Sequence, residues 1–185
     1  MMTPKSTLRH KKNTSSIEDF INGSTFHRVL SNTLNAKQKN SITRIVICSG
    51  KIYFELQDYI DELKKDNTHI VRIEQLYPFP YETLTDEIKD FADCEIIWCQ
   101  EEPKNMGPWG FVRSRIQKVL KTIKSKQSHL YFIGRRAAAS PATGVFERHL
   151  ANQKNILRLA VEADLKEVEK EFDGVSLVKY KLPIE

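Results

Sequence analysis

RIVICSGKIYFELQDYIDELKKDNTHIVRIEQ, residues 44–75, is the stretch that decides the fold. Residues 44–48 form a short continuous apolar run of β-branched side chains stopped by Ser49-Gly50, the signature of a strand buried on both faces. From Lys51 to Lys65 the apolar positions Ile52, Leu56, Ile60 and Leu63 recur at helical spacing, with Asp58, Asp61, Glu62 and Lys64 on the other side. HIVRIEQ, residues 69–75, is again a strand. A strand, a helix and a second strand in this order favour a parallel crossover.

Working outward, the unit repeats. The pattern predicts a helix over 81–93, a strand over 95–100 and a helix marked by Val112, Ile116, Val119, Leu120 and Ile123. It then predicts a strand over 129–134 and a helix over 144–162 with Phe146, Leu150, Leu157 and Ala160 inward. The fold class is therefore α/β, an open, mostly parallel sheet with helices on both faces. Residues 162–185 read as a charged helix, then Gly174, then an alternating segment with Val178, Tyr180 and Leu182 on one side, which is either an added strand or a loose tail. Strand-end loops carry function in such sheets. Here they are 49–51, 76–80, 100–110 and 134–144.

The 185 residues suffice for one well-buried domain with tails. No apolar run reaches the roughly 18 to 20 residues that cross a bilayer. The net charge of +5 is modest and its bases are scattered among acids, which argues against nucleic acid as a partner. Cys48, Cys94 and Cys99 are odd in number, and Cys48 and Cys99 sit in strand-like runs, as buried free thiols of a reducing compartment do. The start of the chain carries Lys5, Arg9, Lys11 and Lys12 with no acid and no apolar segment, which excludes a secretory signal but fits an organellar transit peptide.

Each loop has a chemical and a structural reading. Ser49-Gly50-Lys51 lacks the glycine spacing of a phosphate loop and reads as a tight turn that starts a helix. Tyr77 and Phe79, on a loop stiffened by Pro78 and Pro80, either pack beyond the sheet or form a protein interface. Glu101 and Glu102 could be an acid and a base, but adjacent side chains diverge on an extended chain, so solvated or interface carboxylates are expected. The turn that follows, with Asn105, is expected to present Trp109 as an interface anchor. Arg135 and Arg136 could clamp a phosphate or carboxylate, or form a structural ion pair.

Four motifs in order, CSGK (48–51), VRIEQLYPFP (71–80), WCQEEPKNMGPW (98–109) and GRRAAASPATG (134–144), resemble the carboxyl-terminal domain of the thiamine-dependent decarboxylating subunit of 2-oxoglutarate dehydrogenase. MTPKSTLRH (2–10) is similar to the end of that family's preceding pyrimidine-binding domain, so the basic start is better explained as an internal segment. The resemblance implies a transketolase-like C-terminal domain at 43–161, a remnant of the preceding domain at 1–30, a linker at 31–42 and a charged extension at 162–185.

The implied activity is oxidative decarboxylation of 2-oxoglutarate with succinyl transfer to lipoyl groups, in the citric acid cycle. Thiamine diphosphate and magnesium are implied for the complete enzyme, held by upstream domains through a Gly-Asp-Gly motif absent here, so this chain alone is expected to bind neither and to be inactive. His10 maps onto an active-site histidine, with Lys11-Lys12 where the family has proline. Implied partners are the upstream domains on the same or a companion chain, a second copy in a homodimer, and the dihydrolipoyl succinyltransferase core, with no nucleic acid or membrane. Some relatives bind an acetyl-coenzyme A activator near this domain, which makes Lys104, Arg135 and Arg136 candidate anion contacts. Compartments would be the bacterial cytoplasm or the mitochondrial matrix. The competing reading is a regulatory or scaffold protein that keeps the fold without the chemistry.

Overall fold

The computed structural model describes residues 4–127, 129–165, 171–172 and 174–182. Its centre is the quoted segment. Strand β2 (Arg44–Cys48) is buried throughout and pairs in parallel register with β3 (Thr68–Ile73), joined by helix α2 (Ile52–Leu63). Lys64, left-handed at φ 52°, ends α2 by returning its N–H to the carbonyls of Asp61 and Ile60. Before them, β1 (Val29–Ser31) lies antiparallel on β3, and a short helix α1 (Ala36–Ser41) starts with a reciprocal Asn35–Gln38 capping box. These two elements fall at the edge of and within the stretch expected as a linker. Ser31 donates its hydroxyl hydrogen to Glu87, fastening β1 to the next helix; hydrogen bonds from His69 and then Ser31 hold the Glu87 pKa below its usual value.

The chain continues through α3 (Tyr81–Ile88), β4 (Glu95–Pro103), α4 (Trp109–Thr122), β5 (His129–Arg135), α5 (Phe146–Glu162), β6 (Glu171–Phe172) and β7 (Val175–Lys181). The sheet has seven strands in the order β1-β3-β2-β4-β5-β7-β6. Its four central strands are parallel, and β1, β6 and β7 close the edges antiparallel. Alternation along each strand feeds two cores. Ile45, Ile47, Trp98 and Phe132 meet α3 and α4 on one face, and Val46, Cys48, Ile97 and Ile133 meet α2 and α5 on the other. Beneath them Arg44 bonds Glu95 and the carbonyls of Ala160 and Ala163, tying the last turn of α5 to the sheet.

Three expectations change. β4 runs three residues further than expected, to Pro103, because its pairing with β5 shifts register between Cys99 and Pro103 and resumes at Arg135, so Glu101 and Glu102 lie in the strand and not in the turn. Helix α5 turns Ala160 inward as expected, with Leu157 partly buried against the core, but not its first two turns: Phe146 is 68% exposed and Leu150 51%, while Asn152, Gln153, Ile156 and Leu159 are buried. Extended upward, that stripe passes through His149, so 146 and 150 fall outside it. The alternating tail resolves as a strand, β7, whose Val178, Tyr180 and Leu182 pack against the α4 core. Of the charged helix expected before it, residues 163–165 are not helical and 171–172 form strand β6, and positions 166–170 and 173 lie outside the described residues.

Candidate functional site

The parallel strands end on one edge, and the loops there hold the residues singled out in the sequence. Their order is set by a side chain that the sequence did not flag. Gln100, 2% exposed, accepts hydrogen bonds on Oε1 from the Trp98 indole (2.9 Å) and the Trp109 backbone N–H (3.1 Å). Its Nε2 donates to the carbonyls of Met106 (2.9 Å), Pro103 (3.2 Å) and Glu102 (3.3 Å). One amide thus satisfies a tight turn that offers itself few backbone pairings. Gly107 is required in that turn: its φ is +64°, and a Cβ there would come within 3.1 Å of Glu102.

The turn carries Trp109 inward. At 3% exposure, with its ring 5.0 Å from both Phe132 and Tyr180, Trp109 is core, which corrects its expected role as an exposed interface anchor. The physical reason is that α4 begins at Trp109, which places it on the stripe of Val112, Ile116, Val119 and Leu120. That spacing was present in the sequence and is the signal that finds it. Phe79 is likewise buried, under Tyr81, whereas Tyr77, preceding a cis Pro78, is 80% exposed, its ring 6.4 Å from that of Phe111 and edge-on to it. Of the expected aromatic pair, one faces outward.

The two carboxylates have separate neighbours. Glu101 is 2.7 Å from the Lys51 ammonium, which also reaches Glu55 at 3.1 Å, and Glu55 in turn accepts from Gln153 on α5 at 2.6 Å. Burial opposes the charge of Lys51, but the hydrogen bond it donates to Glu101 and the attraction of Glu101 and Glu55 outweigh that and raise its pKa. Glu102 instead lies against Gly107. An acid and a base sharing one substrate pocket are not formed by this pair.

Arg135 is spent on the frame. Its Nε donates to the Glu101 carbonyl (2.6 Å) and its Nη2 to that of Pro141 (2.7 Å). Asn105 bonds both the carbonyl and the N–H of Ala138 (2.9 and 3.0 Å), fixing the 136–145 loop to the β4 turn. The Lys104 N–H continues the ladder to Arg135, and the Arg136 guanidinium is exposed. His10 lies elsewhere, on α2, its ring 5.0 Å from Phe54 and its Nδ1 accepting from the Lys12 N–H at 3.3 Å. Lys12 reaches Asp58 (2.6 Å) and Asp61 (2.8 Å), and these bonds raise its pKa. The structure therefore brings Glu101, Asn105 and Arg135 together and leaves His10 and Tyr77 apart from them. All three cysteines are free and buried; burial pushes the Cys48 thiol to about 12 and Cys94 to about 11, so neither is a nucleophile at neutral pH.

The fold and its strand-end edge define a class: an open-sheet α/β domain whose loops brace one another at the carboxyl ends of the strands. Residues 14–161 match the family described as 2-oxoglutarate dehydrogenase C-terminal, and the chain belongs to that family. It is 42% identical over 159 residues to the 2-oxoglutarate dehydrogenase E1 component of Brucella anthropi, and the same identity and length relate it to those of Brucella ovis and Brucella canis. In each case the match covers 82% of this chain and 16% of the relative.

Proposed function

We propose that this chain serves as the carboxyl-terminal part of a 2-oxoglutarate dehydrogenase E1 component, structural within an enzyme whose chemistry is completed by other domains. The observation that carries the reading is the 42% identity across most of this chain to 16% of a much longer dehydrogenase component, together with the match to a family described as its C-terminal part. The activity of that whole is thiamine-dependent oxidative decarboxylation of 2-oxoglutarate with succinyl transfer to the lipoyl groups of a dihydrolipoyl succinyltransferase core. A homodimer of the completed subunit belongs to the same proposal.

The surface supports it. Residues 4–28 bury no side chain and expose Leu8, Ile17, Phe20, Ile21 and Phe26, an apolar set of the kind that a neighbouring domain covers. Tyr77 adds an exposed aromatic on a rigid loop. Among the described residues no group of three or more His, Cys, Asp or Glu is placed to hold a metal, and the Lys51–Glu101 pair spans the central strand ends, which supports a reading in which thiamine diphosphate and magnesium are held elsewhere. The coenzyme belongs, in this reading, to the upstream domains, where it supplies the electron sink for decarboxylation. His10 is the side chain this chain would lend to that site. With Nδ1 accepting from the Lys12 N–H, Nε2 is the nitrogen that would hydrogen-bond a 2-oxo acid carboxylate or move a proton in this reading.

The test is reconstitution. The chain alone is expected to release no CO2 from 2-oxoglutarate; mixed with a polypeptide carrying the two upstream domains, coenzyme and magnesium, it is expected to restore release and to co-sediment with that polypeptide. Co-sedimentation without any decarboxylation would favour the scaffold reading. Neither association nor activity would refute both.

A further inference from the structure

We propose that Arg72 is a positioning residue, which sets the place of His10 through the ring of Phe54. The proposal rests on the reading that His10 is the side chain this chain lends to a completed site. Phe54 is where the observation starts. It is only 8% exposed, yet it belongs to neither of the two cores that flank the sheet. On α2 the fully buried stripe is Ile52, Leu56 and Ile60, and helical spacing puts position 54 on the other side of the helix. A phenyl ring withdrawn from water outside a core is covered by something else.

His10, Tyr53 and Arg72 stand over it. The His10 imidazole lies 5.0 Å from the Phe54 ring between centroids, tilted by 43°, and Tyr53 meets Phe54 edge-on at 5.2 Å. The Arg72 guanidinium, near the end of β3, is 4.3 Å from the Tyr53 centroid and 5.7 Å from that of Phe54, so one cation spans two adjacent rings. Arg72 is itself tethered. Its backbone is in register with Cys48 of β2, and Glu74 Oε1 is 2.6 Å from its Nε, an ion pair out of line for a hydrogen bond. Only 19% of the Arg72 side chain is exposed, and a cation partly removed from water is held more firmly by the ring faces.

The seat decides where His10 lies because the arm has little else to hold it. Within residues 4–28 only Thr7 and His10 are partly covered, and every other side chain is exposed. Two contacts place this stretch on α2, one helical turn apart: His10 on Phe54, and Lys12 on Asp58 and Asp61. The Lys12 pairs are in solvent and are screened there. They fix the chain, and the Lys12 N–H fixes which nitrogen of His10 accepts, but the Phe54 ring sets the plane of the imidazole. Without Arg72 the Tyr53–Phe54 pair is free to turn, and the imidazole turns with it. A reacting group displaced by about 1 Å loses on the order of 100-fold in rate, so a residue that never meets the substrate can still govern the reaction.

The experiment has two readouts. On the full chain, aromatic NMR follows the nuclear Overhauser effect between the His10 and Phe54 rings, with the His69–Phe91 pair, 5.7 Å between centroids, as an internal control of the fold. The His10–Phe54 effect is expected in the parent and in Phe54→Tyr, which keeps the ring, and is expected to be lost in Arg72→Gln while the His69–Phe91 effect persists. In the chain reconstituted with the upstream domains, 2-oxoglutarate decarboxylation is expected to fall by about 10–100-fold in Arg72→Gln and to be kept in Phe54→Tyr. A His10–Phe54 effect that survives in Arg72→Gln, or that is missing in the parent, would overturn the proposal. Loss of the ring contact at the parent's rate would overturn the part of Arg72 in the reaction, since a displaced imidazole would then cost nothing. A chain that associates with no upstream polypeptide fails the proposed function alone, and the ring contact still decides for or against Arg72.

Discussion

Gln100→Leu removes a side chain of similar size and leaves its partners in place, which makes it a direct measure of what that amide holds together. The Trp98 indole N–H, the Trp109 N–H and the Met106 carbonyl each lose their Gln100 partner, the first two at buried residues. A buried polar group left unpaired costs about 1–3 kcal/mol. The Pro103 and Glu102 carbonyls made longer bonds and gain water more readily. Taking the low end for three groups, because the half-exposed turn lets some water enter, the loss is about 3 kcal/mol, a large part of the roughly 5–15 kcal/mol that stabilises a domain. The assay is equilibrium urea unfolding followed by fluorescence. Only two tryptophans are present, and both are bonded to Gln100, so the probe reports on the perturbed site. A red-shifted folded-state spectrum and a much lower midpoint with an unchanged slope are expected. A loss under about 1 kcal/mol would refute the reasoning, since it would mean that water or the turn itself satisfies those groups without cost.

Lys51→Met strands Glu101, whose Oε2 is buried, beside Glu55, and is expected to cost about 2 kcal/mol and lower the melting temperature by roughly 4–8 °C in calorimetry. The buried thiols tie stability to alkaline pH. Cys48 titrates near 9.0 when unfolded and near 12 when folded, so its contribution is intact below pH 9 and is lost as pH rises toward 12. Urea midpoints at pH 7 and pH 10 should differ less in Cys48→Ala than in the parent. Lys12→Ala removes exposed ion pairs that solvent and salt screen. It should leave the global midpoint unchanged yet release the arm, read as faster tryptic cleavage at Arg9 and Lys11.

How much of this was legible in the sequence depends on whether a residue's role is local. Arg44–Cys48 and Thr68–Ile73 are apolar whichever neighbour they meet, and the spacing of α2 and α4 states which side faces in. β1 is three residues long and gains its identity only from pairing with β3, so no periodicity announces it. Phe146 and Leu150 misled because apolar side chains were equated with an inward face, when the buried stripe of α5 includes Asn152 and Gln153. Gln100 was invisible for a related reason. Its bonds run to residues two to nine positions away through a turn whose shape a sequence does not display. Trp109 was readable in principle, and its burial makes Trp109→Ala a test of the core.

The strand order also bears on where function resides. β2 leads outward to β3 and the chain then returns past it to β4, so the reversal lies between β2 and β4, the position at which open parallel sheets bind ligands beyond their strand ends. In this chain the turn after β2 and the end of β4, which flank the reversal, are joined by the Lys51–Glu101 pair, and Glu55 and Gln153 extend the closure to α5. An ion pair at that point occupies the space a ligand would need and draws the helices on one face together. What remains open is one strand further along, after β5, where Arg135 is turned into a brace while Arg136 and Arg148 line a basic cleft. A domain that closes its own central crevice but exposes an apolar arm and an aromatic loop tip is organised to act through its surfaces. The same physical feature, Lys51 against Glu101, thus accounts both for the bracing of the strand-end edge and for the place of this open basic cleft away from the centre of the sheet.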